Sequence, residues 1–328
     1  MTVAVVIPVW NGRDWLALLL ASLARQTLAA TDVIVVDNGS TDGAPDLARE
    51  RGARVIPMGC NSGFAAAVNR GIRECLELKP DGIAVMNSDV ELASDYLEKL
   101  AAADAWFATG KLLTPGAERI DGTFDAICRG GTSWRVGSGR EDGPLFSERQ
   151  TIASAPWTAA LFRAEIFQRV GLLEERFESY LEDVDFGLRC AARGIAGVYE
   201  PAAVARHKGS AALGRWHPET VRLIARNQVF LLARHYPSSL LARWMRPILT
   251  AHLLWGGIAF RRGAGLAWAH GAAQGLTGFS RIRKTGVRID EKTLRGLLQS
   301  QERVIRQVQA SSGYDAYWRW YFRLAGEA

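Results

Sequence analysis

A chain of 328 residues, 48% hydrophobic and 23% charged, is too long for a disulfide-stapled mini-protein and too apolar to be disordered throughout. Its length allows two domains, or one with a large appendage. The net charge of +6 hides an acidic front and a basic back: residues 206–328 hold 20 Lys and Arg against 6 Asp and Glu, residues 1–205 hold 20 against 28. Such a split suggests a catalytic or metal-binding half joined to a half that meets an anionic partner, nucleic acid and phospholipid both being candidates.

Cys60, Cys75, Cys128 and Cys190 lie far apart with no CxxC pair, which suits a reducing cytosol better than a disulfide framework. The opening MTVAVVIPVW lacks a basic segment before its apolar run, so it reads as a first strand rather than a signal peptide. The most apolar stretch, residues 247–260, is shorter than the ~18 residues of a membrane span. It is followed at once by Arg261 and Arg262.

In chain order, residues 3–8 form a short β-branched run, expected as a strand covered on both faces, and residues 15–23 carry helical spacing. Residues 32–37 are a second buried strand, followed by the turn-rich NGSTDG, in which Thr41 or Asp42 is placed to cap a helix running to Arg51. A third strand at 54–58, a helix at 64–78 and a fourth strand at 82–86 complete a rhythm that implies an α/β fold, a mostly parallel sheet with helices on both faces. Residues 104–160 are glycine-rich and read as irregular or antiparallel. Helix returns at 163–170 and 182–192. Beyond about 210, helices are expected at 220–235, 240–260, 266–279, 290–309 and 314–324, with Leu294, Leu297, Leu298, Ile305 and Val308 forming an apolar stripe.

Polar residues gather after each of the four strands, at the edge where open parallel sheets bind ligands. GxGxxG and GxxxxGK[ST] are both missing, which argues against a dinucleotide dehydrogenase and a P-loop enzyme. Asp37 can accept hydrogen bonds from a base or ribose, and Asn61-Ser62-Gly63 opens a helix whose N-terminus can face phosphate. Asp89 is a hard oxygen donor for Mg²⁺ or Mn²⁺.

The segments VVIPVWNGRDWL, VIVVDNGSTDG, NSGFAAAVNRGI, the strand ending NSD, YLEDVDFGLRCAARG and HKGSA, in order across residues 3–212, resemble family 2 glycosyltransferases, and among them bacterial rhamnosyltransferase-like enzymes. The resemblance implies a GT-A fold and an inverting, metal-assisted transfer from a nucleotide-diphosphate sugar, dTDP- or UDP-linked, with L-rhamnose as the expected sugar. The acceptor would be a saccharide or a polyprenyl-linked saccharide of the cell surface. It implies nucleobase reading by Asp37, with Pro8 and Asn11 shaping the pocket. Asn87, Ser88 and Asp89 fall where the family carries its DxD metal motif; the amide at 87 leaves Asp89 as principal ligand. Asp183 matches the catalytic base and His207 a histidine of the metal or diphosphate site.

One positioned carboxylate can remove the acceptor's proton, an effect of ~10²–10⁴-fold, while a metal stabilises the leaving diphosphate. Three acids at a helix start are also what the helix dipole favours, so Glu182 either orients acceptor or caps. Trp157 either stacks on acceptor sugar or packs in the core.

Residues 1–212 are expected as the catalytic domain and 213–328 as a basic, aromatic-rich helical extension. Its segments around Trp244–Phe260 and Tyr314–Phe322, flanked by arginines, resemble interfacial helices at an anionic cytoplasmic leaflet; packing against the catalytic domain or a second subunit is the other reading. No nucleic-acid-binding module is found. A catalytically silent sugar-nucleotide scaffold and a sugar nucleotidyltransferase are the rival functions; the second lacks its glycine-rich basic loop.

Overall fold

The computed structural model describes residues 1–116, 119–209, 214 and 216–326. Its first part runs β1 (Val3–Val9), α1 (Arg13–Leu23), β2 (Asp32–Asp37), α2 (Ala44–Glu50), β3 (Arg54–Pro57), α3 (Phe64–Glu77) and β4 (Gly82–Met86). These strands lie parallel in the order β4-β1-β2-β3. Val3–Ile7 and Ile34–Val36 are buried on both faces, which is why they read as continuous apolar runs. The register sets Val9 opposite Asp37 and Pro8 opposite Val36, so the polar residues after both strands emerge at one edge.

The middle adds β5 (Val90–Leu92), α4 (Tyr96–Ala102), β6 (Phe107–Leu113), β7 (Ile120–Gly122), β8 (Asp125–Ile127), β9 (Ser133–Arg135), β10 (Gln150–Ile152), β11 (Ala159–Arg163), α5 (Ile166–Val170), α6 (Glu182–Ala191) and β12 (Gly197–His207). Beyond β4 the sheet becomes mixed. β11 is antiparallel to β4 and to β6, β12 is parallel to β6, and β5 and β10 pair antiparallel with opposite halves of β12. The helix expected from 163 begins instead at Ile166, because Arg163 still pairs with Gly82 in the sheet. The β8–β9 hairpin stands apart as a two-stranded sheet.

Helices α7 (Pro218–His235), α8 (Ser238–Arg243), α9 (Met245–Arg261), α10 (Gly265–Thr285), α11 (Glu291–Ser312) and α12 (Ala316–Ala325) follow. Beyond a small cluster of their own at Val221, Ala259 and Ala264, they pack into the sheet's core. Ala251, Ile305, Val308, Trp318, Tyr321 and Phe322 share one buried cluster with Phe107, Phe124 and Trp157 of the sheet region. Of the two readings of the aromatic segment at 314–322, packing against the catalytic domain is the one observed: Trp318, Tyr321 and Phe322 are buried, and Trp320 is the large exposed side chain. Helices α7 and α10 touch backbone to backbone. A Cβ on Gly271 would lie 2.1 Å from the Arg222 carbonyl oxygen, so only glycine admits this packing. The boundary expected at 212/213 and the end of the HKGSA segment lie outside the described residues.

Candidate active site

The edge formed by the ends of β1 and β2 is tied together by short polar contacts. Asp37 is buried and its Oδ1 accepts from the Ser40 amide at 2.9 Å. Asn11, at φ +58°, accepts from the Thr41 amide at 2.9 Å and donates its own amide to Ser40 Oγ at 2.9 Å. Asp42 stands one residue before Gly43, the N-cap of α2, and its Oδ1 accepts from the Ala44 amide at 3.1 Å. Its Oδ2 accepts from the amides of Gly12 (2.5 Å) and Arg13 (2.8 Å), occupying the N-terminus of α1. Burial opposes ionisation of Asp42, but these amides hold its pKa below the usual value. Pro8, Asn11 and Asp37 thus lie together at the ends of β1 and β2.

Asn61 and Gly63 sit beside it with a different local role. Asn61 Oδ1 accepts from the Gly63 amide and from Asn38 Nδ2, both at 3.0 Å. The first amides of α3 are already engaged: Phe64 donates to Ser179 Oγ at 3.2 Å and Ala65 to the Glu178 carbonyl at 2.9 Å. The expectation that this helix end faces phosphate is therefore corrected; it clamps the loop that precedes Asp183. Gly63, at φ +85°, is required there, since a Cβ would lie 2.9 Å from the Glu178 carbonyl oxygen.

After β4, the Asn87 amide bonds the Thr158 carbonyl (2.8 Å) and the chain turns through Ser88 and Asp89 into β5, which pairs with the end of β12. That pairing sets His207 opposite Val90. His207 Nε2 lies 3.2 Å from Asp89 Oδ1, and its Nδ1 lies 2.8 Å from Asp121 Oδ2 on β7. Burial alone would lower the imidazole pKa, but hydrogen bonds to Asp121 and Asp89 raise it to about 9. Asn87 Oδ1 is buried and has no hydrogen-bond partner.

Among the described residues no three His, Cys, Asp or Glu side chains converge into a ready-made metal cage. The donors present still fit a divalent ion of the Mg²⁺ or Mn²⁺ kind. Asp89, His207 and the orphaned Asn87 oxygen leave most positions for water and phosphate oxygens, as such ions prefer.

Asp183 stands in the first turn of α6, its Oδ1 accepting from the Val184 amide at 2.8 Å. Arg135 of β9 reaches three groups: Asp125 Oδ1 at 3.4 Å, Thr158 Oγ1 at 3.2 Å and Asp183 Oδ2 at 3.6 Å. Burial raises the pKa of Asp183, against the opposing pull of Arg135 and the Val184 amide. Glu182 is buried with Oε2 unpartnered, and burial followed by the Asp183 charge pushes its pKa well above the usual range. Asp121, Asp125 and Arg135 were not identifiable from the sequence, where their glycine-rich stretch carried no strand pattern. Trp157 is a correction: it is 2% exposed and packs against Phe162 (ring centroids 4.5 Å) and Phe186 (5.0 Å), so it belongs to the core and does not face acceptor.

The loop before Asp183 holds Glu178, Tyr180 and Leu181 at φ between 59° and 71°, a strained run for residues with side chains. Asn227 of α7 fixes it, sharing its amide hydrogens among the carbonyls of Phe177 (2.8 Å), Ser179 (2.9 Å) and Tyr180 (2.8 Å). Arg226 bonds Glu178 Oε1 at 2.5 Å and the Phe177 carbonyl at 2.9 Å. One turn into α6, fully buried Asp185 meets Arg189 (2.9 Å), Arg234 (2.6 Å) and His235 (2.8 Å). The helical extension thereby frames the loop and helix start that carry Asp183.

A parallel sheet edge that gathers Asp37, an Asp89–His207 pair and a helix-borne Asp183 defines a nucleotide-sugar transferase of GT-A architecture. Residues 4–171 match the family model for glycosyl transferase family 2, and the chain belongs to that family. The chain is 32% identical over 223 residues to the N-acetylglucosaminyl-diphospho-decaprenol L-rhamnosyltransferase of Mycobacterium tuberculosis, covering 60% of this chain and 72% of that one. Among solved structures, GalNAc-T7 with UDP, GalNAc and Mn²⁺ superposes with a TM-score of 0.62 at 13% identity, over 96% of this chain and 58% of that one. The mannosyltransferase PcManGT of Pyrobaculum calidifontis, in complex with GDP-Man and Mn²⁺, gives 0.50 at 15% identity, over 97% and 85%. Identities this low speak for the fold alone.

Proposed function

We propose that the chain is an inverting rhamnosyltransferase that moves L-rhamnose from dTDP-L-rhamnose to an N-acetylglucosaminyl-diphospho-polyprenol at an anionic membrane surface. The observation that carries the reading is the grouping of Asp37, Asp89, His207 and Asp183 along one sheet edge. The sugar and acceptor rest on the likeness to the mycobacterial enzyme.

Pro8, Asn11 and Asp37 hold the nucleoside, with the Asp37 carboxylate accepting from the base. Asn87, Asp89 and His207 would hold a divalent cation, Mg²⁺ or Mn²⁺, which when bound offsets charge on the diphosphate. Asp183 takes the proton from the acceptor hydroxyl as its oxygen attacks the anomeric carbon from the face opposite the leaving diphosphate. Buried Glu182 helps to orient that hydroxyl. Burial raises the proton affinity of Asp183, the direction that favours proton abstraction from the acceptor.

The acceptor's lipid requires a surface that meets a bilayer, and α9 with α10 supplies one. Met245, Leu249 and Leu253 recur at helical spacing on the exposed face of α9, Leu253 being 63% exposed, and Leu266 at the start of α10 is 85% exposed. Between Glu219 and Asp290 the sequence has no Asp or Glu and eleven Lys or Arg, so the charge around this face complements an anionic leaflet. No helix of the described residues is long and apolar enough to cross a membrane, which makes surface seating the relevant mode.

The test is transfer itself. Purified enzyme, dTDP-L-rhamnose, Mg²⁺ or Mn²⁺ and a short-chain N-acetylglucosaminyl-diphospho-polyprenol should yield dTDP and a disaccharide lipid of inverted linkage. Turnover with UDP- or GDP-sugars but not with dTDP-L-rhamnose would overturn the donor assignment.

A further inference from the structure

Asp125 is a second buried carboxyl beside the one read as base. It lies on β8, and no donor reaches its Oδ2 among the described residues. Its Oδ1 and the Asp183 Oδ2 converge on one guanidinium, at 3.4 and 3.6 Å, which sets two buried carboxyls beside each other, an arrangement that favours one proton between them. Arg135, on the paired strand β9, faces both carboxyls, and Thr158 fixes the far side of its guanidinium. The β8–β9 register, Asp125 opposite Arg135, builds this arrangement into the hairpin. A cavity of about 10 Å³ lined by Asp125, Ser154, Val184 and Gln301 leaves room behind Asp125 for about one water.

We propose that Asp125 and Arg135 are positioning residues of the base: Asp125 and Asp183 share one proton under the Arg135 guanidinium, and this shared-proton pair sets the basicity with which Asp183 meets the acceptor. The inference rests on the reading of Asp183 as base. In the resting site Asp125 carries the proton and donates to the Asp183 carboxylate. On transfer the acceptor O–H bond breaks, its proton passes to Asp183, its oxygen bonds the anomeric carbon, and the carbon–diphosphate bond breaks. The added proton leaves to solvent with the products. Burial, opposed by Arg135 and reinforced by Asp183, raises Asp125 to about 7, where such sharing operates near neutrality.

The charged groups around Asp183 are Glu182 from its own turn, Asp125 from β8, Arg135 from β9 and, acting on Arg135, Asp121 from β7. Burial disfavours the Arg135 charge, but those three aspartates hold it protonated. Two substitutions therefore act differently. Arg135→Gln removes the cation from both carboxyls and raises both pKa values. Asp125→Asn keeps a donor to Asp183 while deleting one ionisation.

The experiment is an infrared titration of buried carboxyl groups in the full chain between about pH 5 and about pH 9, with pH–rate profiles for rhamnosyl transfer from dTDP-L-rhamnose. Wild type should show a carboxyl titrating near 7. Asp125→Asn should lose it, Arg135→Gln should move the acid limb up by about one unit or more, and Arg135→Lys should return it most of the way. Thermal melts establish that each variant is folded. An unchanged carboxyl titration in Asp125→Asn, or a uniform loss of rate at every pH in Arg135→Gln, overturns the pair. Asp183→Asn in parallel separates the two readings. Near-normal turnover in that variant removes the base and the pair together, whereas an inactive Asp183→Asn with unshifted profiles in the others removes the pair alone.

Discussion

Asn227, near the middle of α7, donates at 2.8 Å to the carbonyl oxygen of Tyr180, three residues before Asp183. This bond runs from the C-terminal helices to the loop that leads into Asp183. It makes those helices part of the site's framework, whatever else they meet.

Asn227→Ala leaves the carbonyls of Phe177, Ser179 and Tyr180 without their shared donor. A cost of ~1–3 kcal/mol in folding stability is expected. Because the strained loop is also released, turnover should fall further than stability alone explains, with donor affinity retained. Denaturant unfolding, transfer kinetics and calorimetry with dTDP-L-rhamnose separate these effects.

Asp185 is fully buried and meets Arg189, Arg234 and His235. Burial opposes its ionisation, but Arg189, His235 and Arg234 hold its pKa far below the usual value. A folded pKa below the unfolded one gives stability that is full above the unfolded value of ~3.9 and is lost progressively as pH falls from there towards the much lower folded value. Asp185→Asn should cost ~3–5 kcal/mol near neutral pH, because it strands buried cations. The gap between variant and wild type should narrow on acidification below about pH 4. Urea midpoints across that range report it; a gap independent of pH would contradict the charge argument.

Asp89→Ala and His207→Gln remove the side chains assigned to the cation. Each should weaken Mn²⁺-dependent binding of dTDP-L-rhamnose by roughly tenfold or more, the scale of a ~1.4 kcal/mol loss. Metal-free binding should change little. Calorimetry with Mn²⁺ and with EDTA distinguishes this from a general loss of the pocket.

Leu249→Ser with Leu253→Ser removes apolar area from the exposed face of α9. Co-sedimentation with vesicles containing phosphatidylglycerol should fall by roughly tenfold, while solution binding of donor is unchanged. Arg261→Gln with Arg262→Gln should weaken binding mainly at low salt. Equal binding of wild type to phosphatidylcholine vesicles alone would contradict the electrostatic part.

The parallel strands were legible because burial on both faces writes them as uninterrupted apolar runs: 32–37 and 82–86 were placed to the residue. Asp37 and Asp89 stood out by their places at and after strand ends, while Asp183 was singled out chiefly by the family resemblance, since acids at a helix start also suit the helix dipole. The strand β12 was not legible. Its residues Glu200, Pro201 and Ala202 interrupt the apolar pattern where the register shifts against β6. Asp121, Asp125 and Arg135 lie on three-residue strands, too short for any period to declare itself. The aromatic content of α12 signalled burial and membrane contact equally well. Only packing against Ile305, Val308 and the sheet-side cluster distinguishes them. Trp157 posed the same ambiguity, resolved by its contacts with Phe162 and Phe186.

The most direct measurement is rhamnosyl transfer by Asp183→Asn beside wild type, with donor binding measured on the same preparations. The amide keeps the shape and the Val184 contact but cannot take the acceptor's proton. Transfer should fall by ~10²–10⁴-fold. Affinity for dTDP-L-rhamnose and the melting temperature should stay close to wild type. Turnover within a few-fold of wild type would contradict the assignment of Asp183 as the base and the mechanism built on it.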